Sequence, residues 1–163
     1  MPKKVFGILL SLMVFCACKV SLSGAQVGDA KTLSVAMFVN NAALVQPTLS
    51  QALTEDIRDF FQTQSPLVIV SSNGDMQIEG SIRDYRVTPV AVSNNGASEN
   101  RLTIVVSVRF TNTKDPSKDF ETEFSRFADF SATQNLVTVE QELIKQINQQ
   151  LAQDIFNKAV INW

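Results

Sequence analysis

Two amphipathic helical segments around a run of alternating, turn-punctuated stretches predict an α+β fold: a four- to five-stranded, mostly antiparallel sheet with two helices packed on one face. Three observations carry this reading. Apolar residues recur at helical spacing in residues 49–61 and again in 139–156. Residues 101–111 alternate apolar and polar with little ambiguity. Turn-forming pairs separate the extended stretches between the two helices.

Leu33 to Val39 alternates loosely and is β-prone, which predicts a first strand ended by Asn40-Asn41. Pro47-Thr48 opens the first helix, with Leu49, Leu53, Ile57, Phe60 and Phe61 forming its stripe and Thr48 or Ser50 as candidate caps. Gln62 to Pro66 ends it, and Leu67 to Ser71 is a short apolar strand. Asn73-Gly74 between Val68-Ile69-Val70 and Met76-Gln77-Ile78 is a two-residue hairpin signal, because both positions favour positive φ. The next strand runs from Asp75 to about Val92. Ile78 and Ile82 fall on one phase and Tyr85 and Val87 on the other, so a bulge is expected near Arg83-Asp84. Asn94-Asn95-Gly96 predicts a turn. In the strand from Arg101 to Thr111, Leu102, Ile104, Val106, Val108 and Phe110 face one side; Arg101, Thr103, Val105, Ser107, Arg109 and Thr111 face the other. Lys114-Asp115-Pro116-Ser117 turns the chain into a last strand, Asp119 to Phe130, with Phe120 and Phe124 inward. A helix from about Val137 to Val160 follows, with Thr138 and Gln141 fitting a capping box. With both helices on the apolar face, the opposite sheet face stays polar and available to water or a partner.

The first residues carry a separate signal. Lys3 and Lys4 precede an apolar run from Val5 to Phe15, the size of a secretory h-region and well short of the ~20 residues a membrane span needs. Phe15-Cys16-Ala17-Cys18-Lys19 resembles a bacterial lipobox, with Cys18 as the lipid acceptor because small Ala17 precedes it. Phe15 departs from the Leu, Val or Ile preferred there, and a plain export signal cut elsewhere is the alternative. Both cysteines lie in this segment, so no disulfide is available to the body. Several acyl chains on one residue give stable anchoring at about 0.8 kcal/mol per buried CH2. Some sorting systems retain lipoproteins that carry Asp after the lipidated cysteine; Lys19 stands there instead, which favours the outer membrane. The organisation expected is a lipoprotein signal peptide over 1–17, a lipidated tether over 18–31 with Ser21, Ser23, Gly24 and Gly28, and one domain over 32–163.

Composition narrows the function classes. Removing Lys3 and Lys4 leaves 12 basic against 16 acidic residues, a net charge of 12 − 16 = −4. That balance disfavours nucleic acid as a partner. The chain has no histidine, which removes Ser-His and Cys-His triads, His-ligated zinc and the usual general base near neutral pH. No Gly-rich phosphate loop is present.

A longer pattern then resembles a known family. It runs through Lys19-Val20-Ser21-Leu22-Ser23-Gly24-Ala25, Lys31-Thr32-Leu33-Ser34-Val35 and Pro47-Thr48-Leu49-Ser50-Gln51. It continues through Gly74-Asp75, Ile78-Glu79-Gly80-Ser81-Ile82 with Tyr85, and Asn100-Arg101-Leu102-Thr103-Ile104. Asp154-Ile155-Phe156-Asn157-Lys158-Ala159 and Asn162-Trp163 close it. Order and spacing resemble the lipopolysaccharide-assembly lipoprotein family LptE over nearly all of the mature chain. The resemblance implies a small sheet with two helices on one face. It also implies a protein that plugs the outer-membrane β-barrel LptD, helps that barrel assemble, and binds lipopolysaccharide for insertion into the outer leaflet. Such a protein is not an enzyme and needs no cofactor.

Candidate sites follow from chemistry. Lipid A carries phosphates, and arginine grips phosphate by charge and a bidentate fork. Arg101, Arg109 and Arg126 are therefore the candidate lipopolysaccharide-binding residues, set against a reading as solvated or edge-protecting charges. Arg101 and Arg109 lie roughly 27 Å apart along one strand at about 3.4 Å per residue, so only Arg109 and Arg126 are candidates to converge. Asp115, Asp119, Glu121 and Glu123 cluster at a turn without the ordered ligand spacing of an EF-hand loop, which points to a solvated turn and no metal. Trp163 is expected to pack on the sheet or touch a partner. Two other functions compete: a stand-alone lipoprotein facing the periplasm that organises lipid without a barrel, and a hydrolase using carboxylates such as Glu79 and Asp84.

Overall fold

The computed structural model describes residues 25–90 and 98–161. The lipobox with Cys18, the Asn94-Asn95-Gly96 turn and Trp163 lie outside the described residues. In chain order the elements are β1 (Thr32–Val35), β2 (Val39–Asn40), α1 (Leu49–Gln64), β3 (Val68–Val70), β4 (Met76–Val90), β5 (Glu99–Asn112), β6 (Phe120–Ser131) and α2 (Leu136–Val160). A single turn of 3-10 helix, Pro116–Lys118, links β5 to β6.

The fold is α+β, with a six-stranded sheet ordered β3-β1-β4-β5-β6 and β2 added alongside β4. The long strands β4, β5 and β6 form an antiparallel meander, and the shorter β1, β2 and β3 add parallel pairings. The sixth strand arises because the stretch from Leu33 to Val39 is not one strand. The chain leaves β1 at Val35, tucks Phe38 into the core, and resumes pairing at Val39–Asn40. Register shifts on β4 between Ile82 and Asp84, at the bulge that the change of phase requires.

The expected hairpin at Asn73-Gly74 does not form. β1 lies between β3 and β4 and pairs in parallel with both, so residues 71–75 carry the chain across β1. Asn73 does adopt a positive φ of 54°. Gly74 serves a different need, close approach: a Cβ there would lie 2.6 Å from the Ser34 nitrogen and 2.8 Å from the Leu33 carbonyl carbon. Leu33 and Val35 on β1 are almost fully enclosed beneath the helix layer.

Both helices lie on the face that carries Leu33, Ile78, Ile104, Val106 and Phe110, all in the core. α1 contributes Leu49, Leu53, Ile57 and Phe61. α2 contributes Ile147, Leu151, Ile155 and Phe156. The Phe156 ring stands edge-on to both Phe60 and Phe61, with centroids 5.4 and 5.0 Å away. The caps differ from the sequence expectation. Thr48 is the N-cap of α1 but makes no side-chain cap bond; its N–H and hydroxyl instead donate to Gln46 Oε1. α2 starts one residue earlier than expected, because Asn135 rather than Thr138 caps it by accepting from the Val137 N–H. Of the stretch expected as tether, residues 25–30 are already seated: Ala30 is buried, and the Gln26 N–H donates to the Val160 carbonyl at the end of α2.

Candidate functional site

The face of the sheet away from the helices is uncovered among the described residues. Period-two alternation and strand register assign its side chains row by row. Across β4, β5 and β6 the rows are Glu79–Arg109–Glu121, Ser81–Ser107–Glu123, Asp84–Val105–Ser125, Arg86–Thr103–Phe127 and Thr88–Arg101–Asp129. Most of these residues are charged or hydroxylic. The expected polar face is therefore present, with Arg101, Thr103, Ser107 and Arg109 upon it. Phe127 stands apart as a large apolar side chain, 46% exposed.

The three candidate arginines take separate positions. Arg101 donates through Nε and Nη2 to both carboxylate oxygens of Asp129, at 2.7 and 2.8 Å, and its guanidinium lies 3.6 Å over the Phe127 ring. That bond makes the guanidinium hold its proton more tightly and brings the Asp129 carboxyl below its ordinary range. Arg109 donates to Glu121 at 3.0 and 3.2 Å and lies 3.5 Å from Glu79, so it sits between two acids. Arg126 is not on this face. It shares the helix-covered side with Ile104 across the strand pair and donates to both oxygens of Asp154 on α2, at 2.5 and 2.7 Å. Arg109 and Arg126 thus point to opposite sides of the sheet and do not converge. Each of the three already holds a carboxylate.

Next to Arg109 the face dips into a recess of about 480 Å3. Ser81 and Ser107 form its floor, and Met37 and Val39 form one wall. Both apolar side chains are more than half exposed, at 56% and 59%, while Phe38 between them is buried. The wall is held from beneath: the Phe38 N–H donates to Thr54 Oγ1 at 3.1 Å, and its ring packs over Gly80. A Cβ at Gly80 would meet the Ser107 carbonyl at 2.4 Å and the Phe38 ring at 2.7 Å.

The carboxylates proposed for hydrolysis are far apart. Glu79 and Asp84 are five residues apart on one strand, on the order of 15 Å, beyond the ~5–10 Å that paired catalytic carboxylates require. Glu79 faces Arg109 and Asp84 pairs with Arg86. The acidic turn is likewise committed to local bonds: Asp115 accepts from the Ser117 N–H and hydroxyl, and Asp119 accepts from the Asn112 N–H. Among the described residues no three His, Cys, Asp or Glu side chains are grouped to hold a metal ion.

Two polar features were not read from sequence. The Tyr85 hydroxyl donates to Glu140 at 2.5 Å, and burial raises its pKa well above the ordinary phenol value. Asp75 accepts from the Lys31 and Thr32 N–H groups and the Thr32 hydroxyl, and meets Lys114 at 3.1 Å. The backbone bond from Lys31 and the bond from Lys114 lead in lowering its pKa to about 2. Aspartate before a strand is a weak signal without knowledge of which strand lies beside it.

A helix pair on one face of a mixed sheet, with a charged second face left bare, defines a two-layer α+β domain, and several bacterial lipoproteins share that fold. The minor lipoprotein from Acinetobacter baumannii has this fold at 14% identity, with a TM-score of 0.51, 79% of this chain and 91% of that chain covered. The rare lipoprotein B from Shewanella oneidensis matches at 14% identity and a TM-score of 0.51, covering 78% and 92%. Protein XCC0632 from Xanthomonas campestris matches at 10% identity and a TM-score of 0.55, covering 84% and 87%. No curated protein matches the chain. The family described as LptE, lipopolysaccharide-assembly, matches residues 30–159, and the chain belongs to it. It is a non-enzymatic lipopolysaccharide-assembly lipoprotein. No described helix is long and apolar enough to cross a membrane.

Proposed function

We propose that the protein is exported, lipidated at Cys18 and anchored to the outer membrane. There it plugs an LptD-like β-barrel, assists its assembly, and binds lipopolysaccharide on the way to the outer leaflet. The observation that carries this reading is the uncovered, charge-bearing sheet face opposite a helix-covered core. The lumen of a large barrel is polar, and a plug must offer it polar surface without exposing its own core. Family membership supplies the lipopolysaccharide context.

Among the candidate arginines, Arg101 is the one we assign to lipid A. Its guanidinium is spread on an exposed aromatic ring, and a phosphate can replace Asp129 on the same fork. Arg109 between two glutamates is a poorer phosphate site, and Arg126 is engaged with α2.

The test is capture of the full-length protein from its native membranes. The expected result is a stoichiometric β-barrel partner, an acylated residue 18 by mass analysis, and bound lipopolysaccharide reduced severalfold by Arg101→Ala. Recovery without any barrel, with lipopolysaccharide still bound, would instead favour a stand-alone lipid-organising lipoprotein.

A further inference from the structure

The bare face is not electrically uniform. The recess is lined by Glu79 and Glu121 against Arg109, a local balance of 1 − 2 = −1, and Glu123 lies just beyond it as the cross-strand neighbour of Ser107. Toward the other end Arg86 and Arg101 meet Asp84 and Asp129, a balance of 2 − 2 = 0. Glu123 is exposed and makes no ion pair among the described residues. Glu79 and Glu121 are each 60% exposed at the side chain, with one guanidinium shared between them. The recess therefore has an acidic rim, a hydroxyl floor from Ser81 and Ser107, and an apolar wall from Met37 and Val39.

From this composition we infer that the recess seats an extended protein segment in which a Lys or Arg stands beside an apolar residue. A phosphate is disfavoured, because it would enter against a net negative lining with Glu123 close by. A lipid chain is disfavoured by the hydroxyl floor and the charged rim. A cationic side chain instead completes the pairing that Arg109 leaves unfinished, and its hydroxyl neighbours can accept its N–H groups. The adjoining apolar residue covers Met37 and Val39. The buried Phe38 between them leaves both side chains more than half exposed, although the Met37 sulfur also accepts from Thr54 Oγ1 at 3.6 Å. The volume, about 480 Å3, falls within the ~300–1,000 Å3 span of specific binding pockets. This rests on the plug reading for the partner's identity: the segment belongs to the barrel.

The experiment uses the full-length, lipidated protein in native membranes. A photo-reactive residue is placed at Ser107 on the recess floor, or at Thr88 at the other end of the face, and adducts are sequenced by mass spectrometry. The expected Ser107 adduct is a barrel segment with Lys or Arg next to an apolar residue. An adduct with lipid, with a segment lacking a basic residue, or at Thr88 but not Ser107 overturns the inference. In parallel, the double variant Glu79→Gln, Glu123→Gln is expected to lower barrel recovery at least tenfold; unchanged recovery also overturns it. Both side chains are exposed and the changes add no bulk. If the unmodified protein recovers no barrel, the plug reading falls and takes this assignment with it. If it recovers the barrel without these effects, only the recess assignment falls.

Discussion

The two halves of the sheet are held together by different means. In the meander half, strands of 15, 14 and 12 residues pair in sequence order, and each carries a long alternating pattern that fixes its register. In the parallel half, strands of 4, 2 and 3 residues are too short to carry such a pattern. Their placement depends on individual contacts: Gly74 crossing the β1 backbone, and Asp75 taking the N–H groups of Lys31 and Thr32. Long strands spread their specification over many residues, whereas short ones concentrate it in a few. Single substitutions should therefore act very differently in the two halves.

The largest expected effect is at the crossing. Gly74→Ala forces a Cβ against backbone atoms that have no room to yield, and should destabilise by about 4 kcal/mol or more, read by urea unfolding. Ile104→Ala, in the middle of the meander core, should cost about 3 kcal/mol from lost burial and a cavity. Should the alanine at 104 prove the more damaging of the two, the contrast between the halves is wrong. A pH series sharpens it. Asp75 titrates at about 2 in the folded protein against 3.8 ordinarily, so its contribution is present above pH 4 and lost as pH falls from 4 toward 2. Asp75→Asn should flatten the stability profile in that window. The smallest effect is expected in the helix layer, at Asp56. Burial raises the Asp56 carboxyl, so stability from this group declines as pH rises through its pKa, the opposite sign to Asp75. Asp56→Asn removes that charge and supplies an amide that can donate to Asn148 Oδ1, a buried acceptor with no protein partner among the described residues. A gain below about 1 kcal/mol at pH 7 is expected from thermal melts.

How much could be read in the sequence follows the same division. The meander, its bulge and both helices were legible because period-two and period-3.6 patterns run long there. The crossing was not, because Asn73-Gly74 satisfies a hairpin rule and nothing local says that another strand will lie between its arms. For the bare face, alternation correctly put Arg101 and Arg109 outward. Arg126 could have been excluded on the same grounds, since it shares the inward phase of Phe120 and Phe124. The carboxylate attached to each arginine was not legible, because Glu79, Glu121 and Asp129 become neighbours only through strand register. The recess was hidden for a related reason: its apolar wall exists because the chain departs from β1 at residues 36–38, where the sequence reads as uninterrupted strand.

The seat of β1 has a mechanical consequence. A pull on the amino-terminal end first meets the Gln26–Val160 backbone bond and then loads β1, a strand flanked on both sides by parallel neighbours. Such a load is met by several hydrogen bonds sheared together, whereas an edge strand peels one bond at a time. A body leashed from this end should resist tugging far better than one leashed through β6. Stretching the molecule between residues 31 and 90, which loads β1 against β4 from opposite ends, and then between the paired residues 99 and 131, which opens β6 from one end, would show the first geometry yielding at the higher force.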